Sequence, residues 1–241
     1  MKKKILIFIV TYQSSFRVSN IIKKIKKLNL KKDLYKILIS DDCSTDDTVN
    51  YIKKVKPSKN IKIILNKKRL HYGGNIKQCL NYAIKKKFNY AIMIHGDDQY
   101  DVKYIPIITS NLKKENEIDI VTGSRMLKKK NAIKGGMPMY KFFGNIVLSK
   151  IFNFLCKTNF TDAHTGLWGY NLKVFKTIKL KLIDSEINFD SHLRMMAVNN
   201  KIKIMEIPIN TFYRSERSSW HFIYSSIFIK HLIINIFKKI K

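Results

Sequence analysis

The sequence is poor in several things. It carries three cysteines in 241 residues, Cys43, Cys79 and Cys156, odd in number and widely spaced. That pattern argues against a disulfide framework or a zinc knuckle and suits a reducing cytosol. No run of about 18 uncharged apolar residues is present, so no ordinary membrane span is encoded. No signal peptide is evident: Lys2, Lys3 and Lys4 precede only a short apolar run without a small-residue cleavage site, and that run reads as a first strand. No internal repeat is evident. Acidic residues are scarce, 17 against 47 Lys and Arg, which leaves a formal charge of +30. A field of that sign attracts polyanions, among them nucleic acid, anionic lipid and diphosphates. The excess is spread in lysine patches, and a chain so rich in Lys, Ile and Asn carries part of it as compositional bias. The length fits one large α/β domain, or one domain with an extension, and a core of normal size.

The acidic residues that do occur are grouped. Residues 90–101 read YAIMIHGDDQYD. Ala91, Ile92, Met93 and Ile94 have the length and composition of a buried strand, and it stops in His95, Gly96, Asp97, Asp98 and Gln99. In open α/β sheets the crevice outside such strand ends holds the ligand. Clustered carboxylates repel one another unless a cation or a hydrogen-bond network compensates them. Mg²⁺ typically takes one or two carboxylates together with substrate phosphates. The stretch predicts a metal–diphosphate site; the alternative is a solvated acidic turn.

The remainder of the first half repeats one pattern. Residues 5–11 read as a strand, 12–15 as a turn, and 18–28 as a helix with Val18, Ile21, Ile22, Ile25 and Leu28 at helical spacing. Residues 35–39 form a second strand that ends in Ser40, Asp41 and Asp42. Ser44 or Thr45 is placed to cap the following helix, with Asp46 and Asp47 in its first turn. Residues 61–65 are a third strand, 71–75 a turn, and 76–86 a helix. Strand and helix alternating in this way imply a parallel sheet with right-handed crossovers. Two acidic strand ends then converge on one shared site. In the second half we expect a helix over 104–114 and a strand over 118–122. A mobile basic loop over 128–136 and an aromatic-rich helix over 139–155 follow. After a polar segment at 160–169 come a helix over 189–198, a strand over 202–209 and an apolar helix with scattered cations over 220–240.

Taken together and in order, these motifs resemble the glycosyltransferase family 2 enzymes of GT-A fold, and within them the dolichyl-phosphate mannose/glucose synthase-like branch. The resemblance covers about residues 4–219. It rests on VTYQ (10–13), DDCSTDDT (41–48), HGDDQYD (95–101), GSR (123–125), TDAHTGLWGY (161–170) and EIPINTFYR (206–214). It implies a GT-A, Rossmann-like α/β domain over 1–215, with a mostly parallel central sheet and flanking helices. An amphipathic C-terminal helix over 216–241 would meet a membrane surface. It also implies that Thr11, Tyr12, Ser40, Asp41 and Asp42 bind the nucleotide, with Tyr12 stacking on base or ribose; a turn or cap role is the alternative for Asp41. His95, Gly96 and Asp97 stand where the family has Asp-x-Asp. Asp97 is the implied cation ligand, and His95 either hydrogen-bonds the diphosphate, ligates a softer cation such as Mn²⁺, or is a structural strand-end histidine. Asp98 and Gln99 lie near metal, sugar and diphosphate. Arg125, Arg214 and Arg217 are implied phosphate holders, and Asp162 an acid of the site. The sequence departs from the family at Gln13 and Ser14, at Cys43, at Trp168 and at His192.

The implied reaction is inverting transfer from a UDP- or GDP-sugar, assisted by Mg²⁺ or Mn²⁺. The acceptor is most simply a polyprenyl phosphate at the inner face of the cytoplasmic membrane, or alternatively a saccharide hydroxyl in cell-surface polysaccharide synthesis. A hydroxyl acceptor requires a base within reach, for which Asp162, Asp190 and His192 are the candidates. The helices over 139–155 and 220–240 have the composition of interfacial helices; core or dimer helices are the alternative. Two rivals remain. A nucleic-acid-binding protein would explain the charge, but the acidic clusters at the ligand crevice would repel a phosphate backbone. A nucleotidyltransferase would need a glycine-rich basic triphosphate loop, which residues 12–20 do not supply.

Overall fold

The structure, a computed structural model, describes residues 3–28, 30, 34–55, 59–114 and 117–213. The helix expected over 220–240, with Arg214 and Arg217, lies outside them.

Seven strands form one sheet in the order β3-β2-β1-β4-β6-β5-β7. They are β1 (Ile5–Thr11), β2 (Tyr35–Asp41), β3 (Ile61–Leu65), β4 (Tyr90–His95), β5 (Ile120–Ser124), β6 (Trp168–Asn171) and β7 (Ile204–Pro208). Helices α1 (Arg17–Lys27), α2 (Thr48–Lys53) and α3 (His71–Lys85) connect the first four strands, all mutually parallel where they pair. The remaining α-helices among the described residues are α4 (Tyr104–Leu112), α5 (Lys129–Lys134), α6 (Met139–Cys156) and α7 (Phe189–Asn199).

The central strands read as unbroken apolar runs because helices cover both faces. Strand alternation then sorts β1 between two cores. Ile5, Ile7 and Ile9 face a cluster with Val18, Ile21, Ile22 and Ile25 of α1 and Ile105, Ile108 and Leu112 of α4. Leu6, Phe8 and Val10 face another with Ile76, Cys79, Leu80 and Ala83 of α3 and Phe189, Leu193 and Ala197 of α7. Cys79 is a buried apolar filler, and burial pushes its thiol up to about 12.

Three features differ from the sequence-based expectation. The segment over 160–169 leads into β6, which runs antiparallel between β4 and β5. Four residues, WGYN, are too few to show a period. Gly169 belongs there because a Cβ would collide with Ile108 on α4. The basic stretch over 128–136 is not a loop throughout: α5 forms where Ala132 packs with Met126, Met137 and Phe142. Helix α3 begins at His71, five residues before the expected start, because the Gly73 and Gly74 amides donate to the carbonyls of Glu186 (3.2 Å) and Ser185 (2.8 Å). Those contacts dock the first turn of α3 beside the start of α7.

Candidate active site

The candidate site lies where three parallel strands stop together. Register places Val10 beside both Ser40 and His95, and Thr11 beside Asp41. The ladder runs slightly further: the Asp42 amide donates to the Thr11 carbonyl at 2.9 Å and the Gly96 amide to that of Val10 at 2.8 Å. Gly96 has no room for a side chain, since a Cβ would stand 2.7 Å from Thr11 Oγ1. Thr11, Tyr12, Asp41, Asp42, His95, Gly96 and Asp97 are thereby gathered at one edge of the sheet.

On the β1–β2 side the carboxylates hold loops. Asp41 is buried and accepts from the Ser44 amide (2.9 Å) and hydroxyl (2.6 Å). Burial raises its pKa against the opposing effect of those bonds. Ser44 Oγ in turn accepts from the Gln13 amide at 2.9 Å, and Thr48 Oγ1 accepts from the Ser14 and Ser15 amides, each at 2.7 Å. The turn after β1 is thus tied to the turn after β2, with Gln13 and Ser15 at positive φ. The α2 start is served by Asp46, which accepts from the Thr48 amide at 3.0 Å, whereas Thr45 accepts from Gln13 Nε2. Ser40 is wholly buried, donating to Asn75 of α3 at 2.6 Å. Asp42 accepts from the Leu70 amide at 2.7 Å and so fixes the connection that carries Arg69. The Arg69 guanidinium lies 3.9 Å from the centre of the Tyr12 ring, which is 37% exposed. This flat cation–aromatic pair is suited to a base or ribose with a phosphate attached.

On the β4 side the adjacent carboxylates point apart. Asp97 is exposed, and one oxygen accepts from the Gln99 amide at 3.0 Å. Asp98 adopts φ +58° and turns inward, where both its oxygens accept from Lys24 of α1 at 2.7 and 2.8 Å. The repulsion expected between neighbours is relieved by that divergence.

His95 is packed edge-on to Tyr72 and Tyr100, with ring centroids 5.4 and 5.5 Å away. The face of Gly166 closes over it, and a Cβ on Gly166 would overlap the imidazole. Tyr100 Oη holds the Gly166 amide at 2.8 Å. Burial lowers the His95 pKa, opposed by Asp97. Its Nε2 lies 2.9 Å from Tyr72 Oη, which in turn donates to Asp190 Oδ2 at 2.6 Å. Burial pushes the Asp190 carboxyl up to about 7, against the pull of Tyr72 and Arg194.

The second-half candidates are bound to one another. Arg125 and Asp162 form a buried bidentate pair, Nε–Oδ2 at 2.7 Å and Nη2–Oδ1 at 2.8 Å. Arg125 also donates to the His164 carbonyl, to Asn145 and to Tyr213 Oη. Burial by itself would raise the Asp162 pKa, but the guanidinium holds it below the usual carboxylate value. Trp168 is buried with its indole N–H on the Thr165 carbonyl at 2.8 Å. His192 accepts at Nδ1 from the Asp184 amide at 3.1 Å.

Sequence reasoning missed Lys24, Arg69 and Tyr72. For Arg69 and Tyr72 a signal existed: Arg69 lies in the β3–α3 connection and Tyr72 in the first turn of α3, at the same carboxyl edge of the sheet as the acidic clusters. Among the described residues no three His, Cys, Asp or Glu side chains are grouped to hold a metal ion. His95 and Asp97 offer one nitrogen and one oxygen donor, a set suited to a divalent ion such as Mn²⁺ completed by diphosphate oxygens.

Comparison with known proteins gives a family and a fold. The profile of the family described as "Glycosyl transferase family 2" matches residues 6–179. An uncharacterized protein of Methanocaldococcus jannaschii is 30% identical over 186 residues, 77% of this chain and 74% of its own. A UDP-N-acetylglucosamine–dolichyl-phosphate N-acetylglucosaminyltransferase of Methanococcus voltae is 25% identical over 224 residues, 88% of this chain and 86% of its own. Among solved structures, glucosyl-3-phosphoglycerate synthase from Mycobacterium tuberculosis, in complex with Mn²⁺, UDP and phosphoglyceric acid, superimposes with a TM-score of 0.69 at 11% identity, covering 96% of this chain and 76% of its own. A mannosyltransferase from Pyrobaculum calidifontis in complex with GDP-Man and Mn²⁺ gives 0.63 at 11% identity, covering 99% and 64%. The fold is GT-A.

Proposed function

The chain belongs to glycosyl transferase family 2, and on that premise we propose that it moves a sugar, with inversion, from a nucleoside-diphosphate sugar to a polyprenyl phosphate. One observation carries the choice of acceptor: each candidate base is already engaged. Asp162 is paired with Arg125, Asp190 with Tyr72, and His192 with the Asp184 amide. A hydroxyl acceptor needs a base within hydrogen-bond reach. A phosphate oxygen is already anionic near neutral pH, so positioning and charge neutralisation suffice. The dolichyl-phosphate activity named for the Methanococcus voltae relative supports the same reading.

In the reaction an acceptor phosphate oxygen forms a bond to the anomeric carbon while the bond from that carbon to the diphosphate breaks. The nucleoside diphosphate leaves with the electron pair. A divalent cation, Mg²⁺ or Mn²⁺, neutralises that leaving group when bound. Asp97, and His95 beside it, are the residues to hold it. Tyr12 and Arg69 receive the nucleotide, and Asp41 and Asp42 keep their loops in place. Residues 1–215 serve as the catalytic domain in this reading, with residues 216–241 as its membrane-facing extension at the cytoplasmic face.

Membrane proximity has its own support. No helix among the described residues is long and apolar enough to cross a bilayer. Helix α6, however, exposes Met139, Tyr140, Phe143, Val147 and Phe154. Such a face beside many lysines is suited to an anionic interface.

The test is a thermal-shift panel with UDP, GDP, CDP and dTDP, with and without Mg²⁺ or Mn²⁺, followed by transfer of labelled sugar to a short polyprenyl phosphate or to a saccharide. Metal-dependent stabilisation by one nucleotide and label in the lipid phase are expected. Label in the saccharide alone would replace the acceptor, and stabilisation by none of the four would sink the donor.

A further inference from the structure

We propose that Asp190, acting through Tyr72, fixes which nitrogen of His95 carries the proton, and so presents a bare Nδ1 at the end of β4 as the second protein ligand of the nucleotide-bound cation. The inference rests on the metal-dependent transfer proposed above and deepens it.

Proton counting decides the tautomer. A tyrosine has one proton to give, and an ionised carboxylate only accepts. Above about pH 7, where the Asp190 carboxyl has given up its proton, Tyr72 therefore donates to Asp190 Oδ2, at 2.6 Å. The same hydroxyl oxygen, 2.9 Å from His95 Nε2, has only lone pairs left for the ring. Nε2 must carry the hydrogen. A neutral imidazole carries only one, so Nδ1 is bare. Among the described residues the ring's hydrogen bond is at Nε2 alone, and Nδ1 is not an interior atom sealed without a partner.

The surroundings hold the ring in that pose. Tyr72 and Tyr100 stand edge-on to it, and Gly166 leaves space that any side chain would take. Tyr72 is itself located by the docking of the first turn of α3 on residues 184–186; a Cβ on Gly73 would meet the Asp184 carbonyl at 2.7 Å. Metal-binding histidines characteristically donate their second ring N–H to an oxygen, which sets tautomer and orientation. Here the oxygen is a tyrosine hydroxyl with a carboxylate behind it. Tyr72 and Asp190 are positioning residues in this scheme. A nitrogen donor next to Asp97 also tilts the site towards a transition-metal ion over Mg²⁺.

The test begins without metal. Protein labelled with ¹⁵N-histidine is examined by long-range ¹H–¹⁵N correlation at about pH 8.5, where Asp190 is ionised. The His95 signals are assigned by their loss in His95→Gln. The expected result is the Nε2–H form in the wild type and a mixture of forms in Tyr72→Phe, which keeps the ring packing. Mn²⁺ binding is then followed by the EPR signal of free Mn²⁺ with the nucleoside diphosphate that stabilises best. A loss of about tenfold or more in affinity is expected for Tyr72→Phe and for Asp190→Asn, with both variants shown to be folded by their thermal transitions. An Nδ1–H ring in the wild type, or a tautomer unmoved by Tyr72→Phe, overturns the inference. Mn²⁺ uptake that both variants leave unchanged overturns it alone. No uptake by the wild type with any nucleoside diphosphate overturns the ligand role together with the metal-dependent reading.

Discussion

Arg125 and Asp162 belong to one buried bidentate pair, and they join the end of β5 to the segment that leads into β6. The Arg125 amide also donates to Asp162 Oδ2 at 3.0 Å, while Glu206 of β7 accepts from the Asp162 amide at 3.0 Å. Three strands of the second half therefore share one polar knot. The resemblance implied that these residues meet phosphate or substrate; in this conformation their hydrogen-bonding capacity is spent on each other and on Asn145, His164 and Tyr213.

Removing one partner of such a pair leaves an uncompensated buried charge. Asp162→Asn should destabilise by about 3–5 kcal/mol, read from the urea midpoint and slope. The pair also sets an acid limit. The folded Asp162 pKa lies below the ordinary 3.8, so the stability it contributes is present above that value and is lost as pH falls through the folded one. Near-wild-type stability in Asp162→Asn with catalysis abolished would mean that Asp162 acts on substrate and not as a strut.

Asp97 and Asp98 are neighbours in the chain with opposite fates, and their variants should separate binding from stability. Asp97 is exposed, so Asp97→Ala should change stability by no more than about 0.5 kcal/mol while abolishing cation-dependent nucleotide binding. Asp98→Ala removes a side chain that is 1% exposed and bonded to Lys24. It should lower the thermal transition clearly and leave nucleotide affinity within about threefold. Calorimetric titration beside thermal unfolding checks both. The reverse pattern would make Asp98 the cation ligand.

Much of the first half was legible because its signals are local and redundant. Strands β1, β2 and β4 are apolar runs bounded by polar turns, and their acidic ends follow from the parallel alternation. What stayed hidden depends on contacts distant in sequence. Nothing near Asp98 indicates that its partner is Lys24, 74 residues away. The α3 start needed the carbonyls of residues 185 and 186, and β6 needed Ile108 of α4 to explain Gly169. Arg125 and Asp162 were each recognisable by motif, but their mutual bond was not.

Asp190 gives a pH signature. Its folded pKa is about 7 against an ordinary 3.8, so between those values the folded chain keeps a proton that the unfolded chain has released. Stability from this group therefore falls as pH rises through that window. Asp190→Asn cannot titrate, so the variant should gain on the wild type between about pH 5 and pH 8. Paired thermal transitions at the two pH values measure this difference directly. A difference that does not change with pH would mean that the carboxyl titrates near its ordinary value.

Helix α6 supplies the last prediction. Tyr140, Phe143, Val147 and Phe154 are 69%, 58%, 54% and 84% exposed, and their spacing puts them along one side of the helix. Lys128, Lys129, Lys130 and Lys134 on and beside α5 are exposed too, as is Lys150 on α6. Apolar rings insert into an interface while neighbouring ammonium groups meet anionic headgroups. A large apolar side chain fully removed from water gains about 1.5–3 kcal/mol, so even partial insertion of three aromatic rings outweighs a tenfold change in partition. The wild type should float with anionic vesicles, and a triple variant, Tyr140→Ser with Phe143→Ser and Phe154→Ser, should lose at least about tenfold in partition while keeping its fold. Added salt should weaken the wild-type association by screening the lysines, without abolishing what the rings contribute. Wild-type protein that stays at the bottom of the gradient with anionic vesicles would remove the membrane from the proposed reaction and turn attention to a protein partner for this face.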